Sequence, residues 1–204
     1  EVISIDSISK NAGLKSSVYT DNEPEESFVV QKTESISPDI IHFATHGLQL
    51  EQVKDSSRSQ FIESSSPLEK SAILLAGSNN TITKIKTIKN NRTDGVLTAK
   101  EVLGLDLKNT KLVVLSACRT GLGKQFSMEG VFGLQRSFKI AGVEKVISSL
   151  WDVNDEAANY LQVAFYKQLL NYNLYPNQAL RNAKLQLLKE GYEPSDWASF
   201  ILLE

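Results

Sequence analysis

Two side chains that can carry out nucleophilic chemistry follow directly after apolar segments of the sequence. Cys118 comes shortly after the run KLVVLS, and His46 comes shortly after the run DIIHFA. A thiol with a pKa of about 8.5 is mostly protonated at neutral pH, so it needs a base such as an imidazole to form the attacking thiolate. The resulting imidazolium can then protonate the leaving group. The two residues therefore predict a thiolate–imidazole pair, provided that folding brings their segments together.

Other interpretations of these residues stay open at this point. A lone cysteine is most often a small buried apolar side chain, so Cys118 could be structural. Gly47 beside His46 would let a substrate approach the backbone and would supply an N–H group to an oxyanion. His42 lies inside its apolar run and is predicted to be a packed core histidine. A zinc site formed by His42 and His46 is disfavoured, because their spacing suits a helix rather than a strand and no third ligand is evident.

The elements that must position these residues indicate an α/β fold with a mostly parallel sheet and helices on both faces. KLVVLS is a continuous apolar run, typical of a central parallel strand. In such sheets the reactive groups lie at the carboxyl ends of the strands. Strands are predicted over residues 14–19, 39–44, 71–76, 111–116, 143–150 and 197–203. Helices are predicted over residues 1–11, 25–33, 127–140, 154–170 and 176–189.

Several local signals set the ends of these elements. Thr98 and Glu101 have the spacing of a capping box and predict a short helix. Asn154 is predicted to cap a long helix, and Pro176 to occupy the first turn of the next one. Residues 48–69 have no stable period and predict a long loop. Residues 79–92 predict a protruding hairpin, solvated rather than bound to nucleic acid because it lacks aromatic residues.

Composition excludes several classes of protein. The chain has 204 residues, 41% of them hydrophobic, with a net charge of −2, which argues against disorder, a membrane span or direct nucleic-acid binding. A single cysteine cannot form an internal disulfide and indicates a reducing, cytoplasmic setting. Phosphate-loop, dinucleotide and serine-hydrolase motifs are absent, so no cofactor is expected. Because residue 1 is Glu and Met128 is the only methionine, we expect a fragment of a longer chain.

The chain resembles the CHAT domain family over nearly its whole length. This is a family of caspase-like cysteine peptidases in the clan of caspases and separase, often attached to tetratricopeptide repeats. The resemblance rests on six segments in matching order: IIHFATHG, DGVLTAKEVLGLDL, LVVLSACRTG, the helix start at Glu129 and Gly130, VISSLWDVNDEAA and WASFILLE. It implies one CHAT domain over residues 1–204, built as a caspase-like three-layer α/β sandwich and forming the C-terminal part of a longer protein.

The resemblance also implies roles for individual residues. His46 in ATHG matches the catalytic histidine of the family, and Cys118 in SAC matches the nucleophile. Gly47 and the backbone N–H of Cys118 match the oxyanion-binding positions of the clan. Glu204 stands where the family usually has a glycine, which is a departure at the end of the last apolar segment.

Substrate preference is argued from Trp151 and Asp152. Caspases have Trp-Arg at this position, and the arginine pairs with an acidic P1 side chain. Separase has a similar Leu-Trp-Asp segment and prefers arginine at P1. An acid in place of the arginine therefore predicts cleavage after Arg or Lys, with Asp152 at the base of the S1 pocket. Asp155 is the second candidate for S1, with helix capping as its alternative role, and Ser116 is predicted to line the pocket.

The sequence thus predicts a cytoplasmic, prokaryotic cysteine endopeptidase that acts on a protein substrate without a metal or cofactor. We expect its regulator to be a preceding repeat region or a partner protein, and we expect no membrane contact. The two long loops, with the basic residues Lys54, Arg58, Lys70 and Lys84, are candidate sites of activation or self-cleavage. The alternative is a non-catalytic interaction or signalling module of the same fold. A weaker alternative is transpeptidation by the same dyad.

Overall fold

The centre of the fold is a four-stranded sheet in which three strands run parallel. The computed structural model describes residues 1–36, 38–49, 68, 71–78, 94–116 and 128–204. The sheet has the spatial order β1 (Ile40–Ala44), β5 (Leu112–Ser116), β6 (Lys145–Ser149) and β7 (Phe200–Leu203). β1, β5 and β6 are parallel neighbours, and β7 pairs antiparallel with β6. The mostly parallel sheet is therefore confirmed, with one antiparallel strand at its edge.

A second, smaller sheet follows β1 almost immediately. It is antiparallel, with the order β2 (Gly47–Gln49), β3 (Ser71–Leu74) and β4 (Val96–Thr98). Only Thr45 and His46 separate β1 of the large sheet from β2 of the small one. The strand predicted at 71–76 exists, but it lies in this small sheet and not in the parallel one.

One face of the large sheet carries the N-terminal and C-terminal helices. They are α1 (Val2–Asn11), α5 (Asp155–Tyr166), α6 (Pro176–Lys189) and α7 (Pro194–Trp197), and α5 continues directly into a π-helical turn (Lys167–Asn171). Ile8, Leu161 and Leu187 from these helices pack against Val114 and Ile147 of the sheet. This layer excludes water from one side of the strands that end near the candidate residues.

The opposite face carries α2 (Glu26–Ile36), α3 (Ala99–Val102) and α4 (Met128–Ile140). Val30, Val102 and Phe138 pack there against Val113 and Val146. Val113 and its neighbour Val114 point to opposite faces of β5, and both are fully buried. Helices on both faces of the sheet confirm the predicted three-layer sandwich.

The predicted helix signals operate as expected. Thr98 Oγ1 accepts from the Glu101 N–H at 3.2 Å, while a Glu101 carboxylate oxygen accepts from the Thr98 N–H at 2.8 Å, so the capping box is complete. Asn154 Oδ1 caps α5, and Pro176 is the first residue of α6. The side-chain oxygens of Thr98 and Asn154 accept from N–H groups that have no partner inside the helix.

Three predictions of secondary structure were wrong. Residues 14–19 do not form a strand, and Leu14 and Tyr19 are exposed where a strand would need a neighbour. The strand predicted at 197–203 begins at Phe200, because Trp197 ends α7. The helix predicted to run to residue 170 changes from α to π hydrogen bonding after Tyr166.

The hairpin predicted at 79–92 lies outside the described residues. Most of the long loop predicted at 48–69 does too, but residues 48 and 49 belong to β2 and not to a loop. Within the described ranges, no helix combines the length and the apolar character needed to cross a membrane.

Candidate active site

His46 lies in the short link between the two sheets. Two hydrogen bonds join this link to Leu74 of β3. The Leu74 N–H donates to the His46 carbonyl at 2.8 Å, and the Thr45 side-chain hydroxyl donates to the Leu74 carbonyl at 2.6 Å. The His46 side chain is exposed. The small sheet therefore holds the backbone of this residue beside the carboxyl end of β1.

β5 ends beside β1, level with it. The two strands pair in register over five residues, with Ala44 opposite Ser116 at their carboxyl ends. His46 follows Ala44 by two residues, and Cys118 follows Ser116 by two residues. Cys118 itself lies outside the described residues, as do Arg119 and the segment after it. The condition set by the sequence, that folding bring the two segments together, is met by the strands themselves, and the dyad stays a prediction.

Gly47 is the first residue of β2 and pairs with Ile73 of β3. It follows His46 directly, at the same edge of the large sheet. Its assignment to oxyanion binding stays a prediction, as does that of the Cys118 N–H.

The segment after β6 contains both acidic candidates for the S1 pocket. β6 lies beside β5, so this segment leaves the sheet at the same edge as Cys118's strand. Asp152 and Asp155 are both exposed, and the Trp151 Nε1–H donates to the Ser195 carbonyl at 2.9 Å. Asn154 caps α5, with its side-chain oxygen 2.9 Å from the Glu156 N, so the capping role suggested for Asp155 belongs to its neighbour. The S1 roles of both aspartates stay predictions.

Ser116 is buried, and its hydroxyl donates to Glu1 Oε2 at 3.0 Å. The other oxygen of that carboxylate lies 2.6 Å from His42 Nε2. Tyr166 is fully buried, and its hydroxyl lies 3.1 Å from His42 Nδ1. Four side chains from α1, β1, β5 and α5 are therefore linked on one face of the sheet, below the edge that bears the candidate residues.

The protonation of Tyr166 follows from its burial. Burial raises the pKa of the Tyr166 phenol far above its ordinary value, and the charge of Glu1 adds to the effect, so the phenol keeps its proton. Tyr166 can then donate to His42 Nδ1, which leaves the His42 Nε2–H to donate to Glu1. With its side chain 9% exposed, His42 is the packed histidine that the sequence predicted. Both of its ring nitrogens already have protein partners.

Comparison with known families agrees with this architecture. A sequence model described as the CHAT domain matches residues 3–204. The chain belongs to the CHAT domain family. CHAT domains are caspase-like, and the three-layer fold with its mostly parallel sheet is the fold expected of such a domain. Membership by itself leaves open whether a given CHAT domain cleaves peptide bonds.

Two curated relatives of this CHAT domain come from mammals. The chain is 40% identical over 110 residues to Tetratricopeptide repeat protein 28 of Homo sapiens and 37% identical over 110 residues to the protein of the same name in Mus musculus. Each match covers 53% of this chain but only 4% of the relative. Since both relatives are mammalian, the prokaryotic origin stays a prediction.

Sequence reasoning on this CHAT domain missed Glu1 and Tyr166. Glu1 lies 41 residues from His42 and 115 residues from Ser116 along the chain. An acid at the start of a helix normally suggests an interaction with the helix dipole. Nothing in the local pattern signals that this carboxylate reaches the sheet instead.

Proposed function

We propose that this CHAT domain is a cysteine endopeptidase in which His46 is the base and Cys118 the nucleophile. The observation that carries the proposal is the register of β1 and β5. Ala44 and Ser116 are paired at the carboxyl ends of two parallel strands, and each candidate follows its strand by two residues. This arrangement favours a meeting of the two side chains at one edge, where open α/β sheets bind their ligands.

Peptide-bond hydrolysis would use the two residues in successive steps. His46 takes the thiol proton of Cys118, and the thiolate attacks the carbonyl carbon of the scissile bond. N–H groups of Gly47 and Cys118 would stabilise the oxyanion that forms. The His46 imidazolium then protonates the leaving amine, giving an acyl-enzyme thioester. Water, deprotonated by His46, hydrolyses the thioester and restores the thiol.

The test is covalent labelling by a peptidyl-Arg acyloxymethyl ketone, followed by intact mass. We expect one label on the wild-type chain and none on Cys118→Ala, because the chain has a single cysteine. His46→Ala should lower the labelling rate by about a hundredfold, within the usual range for general-base catalysis. Cleavage of peptide bonds by Cys118→Ala at the wild-type rate would refute the proposal.

We further propose that the enzyme cleaves after Arg or Lys, with Asp152 as the acid that pairs with the P1 side chain. Asp152 supports this because it lies on the segment that leaves β6, beside the strand of the nucleophile. The negative charge would attract a basic P1 group and repel an acidic one.

A panel of fluorogenic peptides with P1 Arg, Lys, Asp and Ala tests this preference. Asp152→Asn should lower kcat/KM for P1 Arg by about tenfold or more, equivalent to roughly 1.4 kcal/mol, and leave P1 Ala nearly unchanged. Glu156→Gln is the control, because that carboxylate is also exposed on the first turn of α5 and is not a candidate for the pocket. Equal turnover of P1 Asp and P1 Arg by the wild type would contradict the assignment.

A helical-repeat region is the regulator that we propose for this domain. Both mammalian relatives are named for tetratricopeptide repeats, and this chain matches only 4% of their length. The same observation favours a second candidate function, a signalling module that uses the fold without catalysis. Absence of Cys118 labelling in the presence and absence of a repeat partner would favour that second function.

A further inference from the structure

The side chain of Glu1 does not serve the helix that it precedes. Glu1 is the N-cap residue of α1, and its carbonyl accepts from the Ile5 N–H, but its carboxylate makes no capping bond. The carboxylate instead reaches across to the sheet, where one oxygen meets His42 on β1 and the other meets Ser116 on β5. A single side chain thus joins two neighbouring strands.

The two joined positions are close to the proposed dyad. His42 is four residues before His46, and Ser116 is two residues before Cys118. Both point to the face of the sheet that α1 and α5 cover, as the contacts with Glu1 and Tyr166 require. Because two residues of chain span at most about 7 Å, whatever holds the Ser116 backbone limits how far Cys118 can lie from the end of β5.

The two hydrogen bonds that the Glu1 carboxylate accepts belong to a stronger class than those between neutral groups. A carboxylate that accepts from two donors makes charge-assisted hydrogen bonds, which are about twice as strong as neutral ones. The side chains of Glu1 and His42 are only 15% and 9% exposed, so water competes weakly for them. Tyr166, which is fully buried, holds His42 from the other side through Nδ1. Hydrogen bonds therefore connect the start of α1 to both strands.

We propose that Glu1 is a positioning residue, a carboxylate strut that holds the carboxyl ends of β1 and β5 together and so sets the separation of the two dyad residues. The inference rests on the proposed function. It makes α1 the element through which a displacement at the start of the domain reaches the catalytic residues. Glu1 acts through His42 and Ser116 and does not touch the substrate.

The first readout is the alkylation of Cys118 by iodoacetamide across pH 5–9, which reports one thiol because the chain has one cysteine. A thiolate paired with an imidazolium reacts below pH 7, whereas an isolated thiol does not. We expect Glu1→Gln to slow alkylation at pH 6 by about tenfold, towards the rate of His46→Ala, and to leave the rate at pH 9 unchanged. With a peptide substrate, kcat should fall while KM stays constant.

The matched control is Asp39→Asn. The Asp39 carboxylate pairs with Lys111 Nζ at 2.7 Å, and this ion pair joins the opposite, amino ends of the same two strands. Both side chains are about 70% exposed, so its loss should change little. Ser116→Ala removes one arm of the strut and preserves His42, and its effect should be non-additive with that of Glu1→Gln because the two share one bond. Additive effects of the two substitutions would contradict the strut.

The second readout is amide hydrogen exchange, which needs no catalysis. Glu1→Gln should accelerate exchange at the carboxyl ends of β1 and β5 and leave their amino ends unchanged, whereas unchanged exchange at all four ends would overturn the strut. If the wild type is alkylated at pH 6 no faster than His46→Ala, the dyad is refuted. The hydrogen-exchange test of the strut remains valid in that case. Alkylation of Glu1→Gln at the wild-type rate, in a chain whose His46 dependence is established, would refute the positioning role.

Discussion

Glu26 is a carboxylic acid that the fold buries completely. It lies in the first turn of α2, with no exposed surface, beside the acids Asp94 and Glu101. Burial, with the charges of these neighbours, raises the pKa of Glu26 to about 8, and burial also raises the pKa of Asp94. Glu26 is therefore largely protonated at neutral pH, which avoids the cost of an unpaired buried charge.

This protonation predicts a pH dependence of stability. The folded chain retains the Glu26 proton between pH 4.5, the ordinary value for glutamate, and about pH 8, while the unfolded chain has lost it. The free energy of unfolding must then decrease as pH rises through that window. We expect Glu26→Gln to reduce this decrease and to be more stable than the wild type at pH 8 by about 2 kcal/mol. Urea unfolding at pH 5, 6.5 and 8 measures the free energy of unfolding of the wild type and of Glu26→Gln.

Glu25→Gln provides the control, because Glu25 is the adjacent residue and its side chain is exposed. It should leave the pH profile of the wild type intact. A Glu26→Gln profile that runs parallel to the wild type from pH 5 to pH 8 would contradict the prediction.

Residue types alone identified His46 and Cys118 as candidates, because a base and a nucleophile each followed an apolar run. The Glu1 strut could not be found in this way, since its members are distant in the chain. Ser116 shows the same limit, because the sequence predicted that it lines the pocket but not that a carboxylate from the start of α1 bonds to it. Partners that come from another layer of the fold are set by packing, which no local pattern records.

At the scale of elements, the close approach of the residue before β4 to the segment that follows β3 depends on Gly95. Its φ is +76°, and a Cβ placed there would lie 2.4 Å from the Ser78 nitrogen and 2.6 Å from the Ala76 oxygen. The Gly95 carbonyl also accepts from the Leu75 N–H at 2.8 Å. The small sheet thus closes through a backbone contact that only glycine permits.

Gly95→Ala should destabilise the chain by about 3 kcal/mol, because both strain and overlap with the backbone are introduced. Gly13→Ala is the matched control, since Gly13 has a similar φ of +79° and open space where the Cβ would lie. That change should cost only about 1 kcal/mol. Urea unfolding compares the two variants, and an equal loss of stability would show that φ alone, and not the close approach, governs Gly95.

The elements with strong local signals were predicted well. The central strand, the capping box at Thr98 and the cap at Asn154 each rest on a pattern with one structural solution. Residues 14–19 were predicted as a strand, but a strand is stable only where a neighbour accepts its hydrogen bonds, and Tyr19 packs on Phe28 of α2 instead. The run at 71–76 could not reveal which sheet it joins, because a short apolar run does not encode its partner.

At the scale of the whole molecule, stability comes from apolar layers on both sides of the large sheet. In α6 the boundary between core and surface falls between two adjacent residues, because Leu187 is fully buried and Leu188 is 50% exposed. Leu187 belongs to the layer formed with α1, α5 and the sheet. The two residues therefore form a matched pair within one helix.

Leu187→Ala should lower the free energy of unfolding by about 3 kcal/mol, because it removes buried methyl groups and leaves a cavity. Leu188→Ala should change it by less than about 0.5 kcal/mol. Thermal or urea unfolding of both variants measures the difference. Equal effects would mean that α6 does not contribute this face to the core in solution.

The two-residue link of Thr45 and His46 has a mechanical consequence. One backbone bond and one side-chain bond join the link to β3, whereas the strand before it belongs to the large sheet. A small rotation of the antiparallel sheet would therefore move the His46 imidazole, while β5 stayed in place among its parallel neighbours. His46 is thus bonded to the antiparallel sheet, whereas the proposed nucleophile follows a strand of the parallel sheet, so a shift of the small sheet against the large one would change the separation on which the proposed dyad depends.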